Sequence, residues 1–148
     1  MTKYIQITII DYPNALQSAV QGFRELFLLA NKIIIENQLE VQFSVKIIQP
    51  DKDIDGVLHD DIVILPPNLD GDYFYTPHPN LLQYLNDAHQ NGSILCSACA
   101  GAFILAKTGL LNNRVATTHW QLADKFNDLF PKVSLKVDSL LINDGDII

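Results

Sequence analysis

Residues 93–103 read SILCSACAGAF. An apolar run climbs into two cysteines, Cys96 and Cys99, and passes at once into small residues. SILCSA reads as a buried strand, and AGAFILAKTG from Ala100 as a short helix ending at Gly109. Cys96 then falls inside the strand and Cys99 at its end. A strand that turns into a helix through Cys99, Ala100, Gly101 and Ala102 has the layout of a nucleophile elbow. Small neighbours there let one side chain stand at the C-terminal edge of the sheet. The N–H groups and dipole of the following helix favour thiolate, so a lowered thiol pKa is expected for Cys99. Cys96 reads as a small buried hydrophobe. The same residues also fit a plain turn around a buried cysteine, and the local pattern leaves both readings open.

Other uses of a CxxC pair fit less well. A structural zinc site takes four ligands, commonly two such pairs, and here one pair stands beside four scattered histidines. No metal is therefore expected. His59, His78 and His89 show no metal-ligand spacing and read as solvated. A redox motif of the thioredoxin type puts its reactive cysteine at a helix start and the second one inside that helix, the reverse of the order here.

Outward from this stretch, strands alternate with helices. YIQITIID (4–11) suits a strand buried on both faces. Asn14, with Gln17 three residues on, reads as a capping box opening a helix that runs to about Glu36. A second strand starts at Val41, and DDIVILPP (60–67) is a third, stopped by two prolines. The loop NLDGDYFYTPHP follows, with Tyr73, Phe74 and Tyr75 either packing locally or forming a lid or dimer contact. A helix from Asn80 closes at Gly92. RVATT (114–118) reads as a fifth strand, HWQLADKFNDLF as a helix, and SLKVDSLLIND as an extended stretch turning at Asp144–Gly145. The alternation predicts an α/β three-layer sandwich with a mostly parallel sheet, flavodoxin-like, in one domain. A last strand that begins at the turn and stops at Ile148 is expected to belong to a chain cut short of its natural end.

Composition narrows the function. The 148 residues are 48% hydrophobic and 18% charged, enough for one domain with a core. The net charge of −7 and only ten Lys and Arg argue against direct nucleic-acid binding by these residues. The N-terminus has no secretory pattern and no run is long enough to cross a membrane, so a cytoplasmic protein without membrane contact is expected.

CAGAFILAKTGLLNNRVATTHW (99–120) resembles the signature segment of the ThiJ/PfpI superfamily, which is class I glutamine amidotransferase-like. More narrowly, TGLLNNRVATTHW and FRELFLLAN (23–31) resemble the branch that forms the N-terminal domain of AraC-family transcriptional regulators. The resemblance implies a helix-turn-helix domain beyond residue 148, through which alone DNA would be bound, and a homodimer. It implies that Cys99 is the elbow cysteine and His119 its partner, with no cofactor. Two departures stand out. Where the family's enzymes carry an acid early in the first helix, this chain has Ala19, with Gln17 and Ser18 the nearest polar groups. Where they carry a Gly-Gly oxyanion loop it has LPPN (65–68), and Pro67 has no N–H to donate. Asn68 and the N–H of Ala100 are left as possible donors.

The pocket is therefore expected at the C-terminal strand edges, lined by Asn68, Cys99, Ala100, Gly101 and His119, with Gln17 or Ser18 above. It would take an unidentified small molecule. The leading expectation is a ligand-sensing and dimerisation domain of a regulator. The alternatives are a stand-alone hydrolase, hydratase or glyoxalase-like enzyme using Cys99, and a redox sensor.

Overall fold

The run Ile7–Ile10 is buried on both faces, and this places the first strand inside the sheet rather than at its edge. The computed structural model describes residues 1–54 and 60–148, so His59 lies outside the described residues. Four strands, β1 (Lys3–Ile10), β2 (Val41–Ile48), β3 (Ile62–Leu65) and β4 (Ile94–Ser97), form a parallel sheet in the order β2-β1-β3-β4. The register pairs Ile7 with Ile62 and Ile64 with Cys96. The strands are joined by α1 (Gln17–Glu36), α2 (Pro79–Gln90) and, after β4, α3 (Gly101–Lys107). The α/β parallel-sheet reading of the sequence holds.

The start of α1 differs from its expected capping box. Asn14 takes a left-handed backbone with φ 64°, and the helix begins at Gln17 with no side-chain cap. The reason is tertiary. Leu16 N–H donates to the Pro67 carbonyl at 2.8 Å, and Leu69 N–H to the Asn14 carbonyl at 2.8 Å. This short antiparallel bridge, Ala15 with Asn68, holds the chain out of the helix up to Leu16 and ties the helix start to the LPPN loop.

The fifth strand is shorter and lies elsewhere than expected. Only β5 (Val115–Ala116) is regular, and it pairs in parallel with β6 (Ser134–Leu135) in a separate two-stranded sheet. The place beside β4 is taken by residues 146–148. Leu95 N–H donates to the Asp146 carbonyl, Ile148 N–H to that of Leu95, and Ser97 N–H to that of Ile148, at 2.8–3.0 Å. The segment after the Asp144–Gly145 turn thus runs parallel to β4, but pairs with it only through an isolated bridge, Leu95 with Ile147. Between β5 and β6, a 3-10 turn (Trp120–Leu122) leads into α4 (Ala123–Leu129).

The aromatic loop packs onto the core. Phe74 is buried, and the rings of Phe74 and Tyr75 sit edge-on to Phe103 of α3 at 5.1 and 5.4 Å. Of the histidines read as solvated, two have partners. His78 caps α2 by accepting from Asn80 N–H, and His89 lies 2.6 Å from the Asp146 carboxylate.

Candidate functional site

Cys99 has φ 55°, a left-handed conformation that a non-glycine residue adopts only where the surroundings enforce it. Its neighbours do so here. Ala98 N–H is held by the Leu65 carbonyl at 3.0 Å. Gly101 lies so close to β3 that a Cβ would meet the Leu65 oxygen at 2.5 Å and the Pro66 oxygen at 2.9 Å. Thr118 Oγ1 donates to the Cys99 carbonyl at 2.7 Å. The turn from β4 into α3 thus holds Cys99 in a left-handed conformation, with Gly101 as its close-approach position.

The thiol does not follow the sequence expectation. Burial pushes the Cys99 pKa above the ordinary thiol value, and the backbone N–H of Ala100, bonded to the sulfur, opposes this without reversing it. Desolvation of a half-buried sulfur outweighs the seven-residue helix behind it. Cys96, inside β4, is pushed up to about 11 by burial alone.

Cys99 and His119 both line a cavity of about 500 Å³ between β4, β5 and the C-terminal stretch. No hydrogen bond joins them among the described residues. His119 ends the β5 segment and caps the following 3-10 turn, its Nδ1 accepting from Gln121 N–H at 3.2 Å. A neutral ring with Nδ1 accepting carries its proton on Nε2, so that nitrogen is a donor rather than a base. In this arrangement Nδ1 is engaged by the cap, and Nε2 is the ring nitrogen left to meet a polar ligand.

The other expected site residues lie away from the cavity lining. Ala100 and Gly101 are buried under the elbow. Asn68 donates from Nδ2 to the Gly71 carbonyl at 3.3 Å, and its Oδ1 is buried without a hydrogen-bond partner among the described residues. Gln17 is exposed and bonded to Asp11 at 2.7 Å, and Ser18 is exposed as well. The lining contains instead Leu111, Val115, Trp120, Leu140, Leu141 and Ile148, none of which the sequence reading placed there. For Leu140 and Leu141 the signal was present in the apolar run LLI before the Asp144–Gly145 turn. It could be used only once that stretch was known to fold back beside β4.

Tyr12 was also missed. It is buried, donates to the Pro66 carbonyl at 2.6 Å and stacks on Tyr73 at 5.7 Å. Burial, with a lesser contribution from the charge of a Cys99 thiolate, raises its pKa, which puts phenol and sulfur within electrostatic reach. Its hydroxyl thus ties the end of β1 to the LPPN loop.

Residues 29–148 match the model of the DJ-1/PfpI family. The chain belongs to the DJ-1/PfpI family. Over 57 residues it is 39% identical to the HTH-type transcriptional regulator CdhR of Pseudomonas aeruginosa, a match covering 38% of this chain and only 17% of that protein. The fold is similar to that of an AraC family transcriptional regulator from Pseudomonas putida, with TM-score 0.77 at 15% identity, covering 97% of this chain and 81% of that one. It is also similar to Drosophila melanogaster DJ-1beta, with TM-score 0.64 at 16% identity, covering 99% and 80%. DJ-1/PfpI membership and these folds agree with the superfamily resemblance of the sequence. Among the described residues no helix is long and apolar enough to cross a membrane.

Proposed function

We propose that this DJ-1/PfpI domain is the ligand-sensing and dimerisation part of an AraC-type transcriptional regulator, with DNA bound by a separate domain of the protein. The observation that carries the reading is the composition of the cavity around Cys99. Burial raises the Cys99 thiol pKa, His119 Nδ1 is taken up by the cap to Gln121 N–H, and the lining carboxylate, Asp138, is exposed. Such a cavity binds a small molecule without a group placed to move its protons. The similarity to CdhR and to the P. putida regulator supports the same reading.

A homodimer is part of this proposal. Leu26, Leu29 and Ile33 of α1 form a stripe at helical spacing, each more than half exposed. The second reading, an enzyme using Cys99, is favoured by the strained elbow alone. A panel of amides, isonitriles and α-oxoaldehydes assayed beside Cys99→Ala separates the two. The sensor reading expects no turnover that depends on Cys99, and a stabilising ligand that alters DNA binding by the full-length protein. Robust turnover abolished by Cys99→Ala overturns it.

A further inference from the structure

Among the described residues β2 ends the sheet on one side, and its composition makes an open edge there hazardous. VQFSVKII carries a single charge and places Val41, Phe43, Val45 and Ile47 at every second position, a pattern to which a further strand adds readily. The parallel pairing with β1 decides which backbone groups face inward. Lys3 N–H donates to the Glu40 carbonyl at 3.0 Å and Asp11 N–H to the Ile48 carbonyl at 2.8 Å. The backbone groups of the even-numbered residues therefore face β1, and those of Val41, Phe43, Val45, Ile47 and Gln49 face outward.

Side chains fill two of these outward positions. Asn31, on α1, donates from Nδ2 to the Phe43 carbonyl and accepts at Oδ1 from the Phe43 N–H, both at 2.8 Å. One carboxamide thus makes the two bonds that a residue of a neighbouring strand would make. Phe27, one turn earlier on α1, packs its ring against that of Phe43 at 5.1 Å and holds the helix within reach of the strand. At the far end, Gln49 N–H donates to the Asp53 carboxylate at 2.9 Å. Between these two plugs lie the outward groups of Val45 and Ile47 alone.

We propose that Asn31 terminates the sheet: its amide occupies the outer edge of β2 and keeps the same strand of a second copy of this chain from pairing there. An incoming strand has to break both bonds at Phe43 and regains only the same two, so pairing along β2 gains nothing at its centre. Both bonds are made within the described residues, and the block holds whatever other part of the full-length protein lies near β2. The inference stands apart from the sensor reading of the cavity.

The test compares the full-length wild type with Asn31→Ala by sedimentation velocity across micromolar concentrations. Pairing of two edges doubles the mass, so the alanine variant is expected to exceed the wild type at the same concentration by about twofold or more. Ile104→Val, a change in the core away from β2, lowers stability without touching the edge and is expected to keep the wild-type mass. Ser44→Lys, on an exposed position of β2, sets a second positive charge near Lys46, and two copies of the strand paired antiparallel bring these charges together. Added to Asn31→Ala, it is expected to return the mass to that of the wild type while the melting temperature stays low. Asn31→Leu keeps the side-chain volume and loses both bonds; it is expected to associate as the alanine variant does, and it serves if that variant does not fold. An unchanged mass in the Asn31 variants, association that Ser44→Lys leaves in place, or equal association of Ile104→Val overturns the proposal.

Discussion

The hydroxyl of Thr118 donates to the carbonyl of Cys99 at 2.7 Å, so the residue before His119 is fastened to the elbow itself. This bond, rather than neighbouring places in one sheet, brings the RVATT segment to the cysteine. Thr118→Val keeps the shape and removes the donor. A loss of about 1 kcal/mol in urea unfolding is expected, because a mostly buried carbonyl loses its stronger partner. Alkylation of Cys99 should speed up as the elbow loosens, while Cys96 is unaffected. Unchanged stability and unchanged Cys99 reactivity would show that the bond does not hold the elbow.

Gly101 and Gly22 predict opposite signs for the same substitution. At Gly101 a Cβ would stand 2.5 Å from the Leu65 oxygen, backbone on backbone, and neither element can yield without disturbing the sheet. Gly101→Ala is expected to cost about 2–3 kcal/mol or more. At Gly22, inside α1, a Cβ meets nothing within 4 Å. Gly22→Ala is expected to stabilise by about 0.5–1 kcal/mol through helix propensity. Thermal unfolding of the two variants side by side checks both. A tolerated Gly101→Ala would mean that α3 does not press on β3 as described.

The strand-to-helix turn at Cys99 was legible because its requirements are local: an apolar run, one cysteine, then three small residues. Buried strands such as Ile7–Ile10 were legible for the same reason. What the sequence hid depends on distant partners. The helix start slid from Asn14 to Gln17 because Pro67 and Leu69 bond to residues 14–16. RVATT left the main sheet because residues 146–148 occupy the edge of β4. The thiol pKa was expected to fall from the helix dipole and instead rises, since burial is set by the whole fold. Asn68, Gln17 and Ser18 are absent from the lining of the cavity beside the C-terminal stretch, whose walls come from segments far apart in the sequence.

The two cysteines make stability fall at alkaline pH. Both thiols have folded-state pKa values above the ordinary one, Cys96 at about 11. Their contribution is complete below the unfolded thiol value of about 8.5. It is lost as pH rises toward the folded values, because the unfolded chain releases these protons first. Cys96→Ser should therefore reduce the alkaline slope of urea stability between about pH 8.5 and 11. Alkylation of wild type near pH 8 should be slower at both sites than for free cysteine, with Cys99 faster than Cys96 because it is less buried. A Cys99 that reacts faster than free cysteine at neutral pH would contradict the raised pKa.

Arg114 predicts an effect at the acid end. Its guanidinium, and then the His89 ring 2.6 Å away, hold the Asp146 carboxyl well below the usual carboxylate range. A depressed folded-state pKa means stability that is present above the unfolded carboxylate value of about 3.9 and lost as pH falls toward the folded one. Both groups are partly in solvent, so the ion pair itself is worth little at neutral pH and high salt. What it positions matters more. Asp146 accepts through its carbonyl from Leu95, and the next two residues wall the cavity. Arg114→Gln is expected to raise the Asp146 pKa toward the ordinary range in a carboxyl NMR titration, with His89 still holding it part of the way down. It should also raise amide exchange at Ile148, whose N–H is bonded to Leu95, while exchange in β1 stays as in the wild type. A raised Asp146 pKa with unchanged exchange at Ile148 would show that the β4 ladder alone holds the C-terminal stretch and that Arg114 only decorates it.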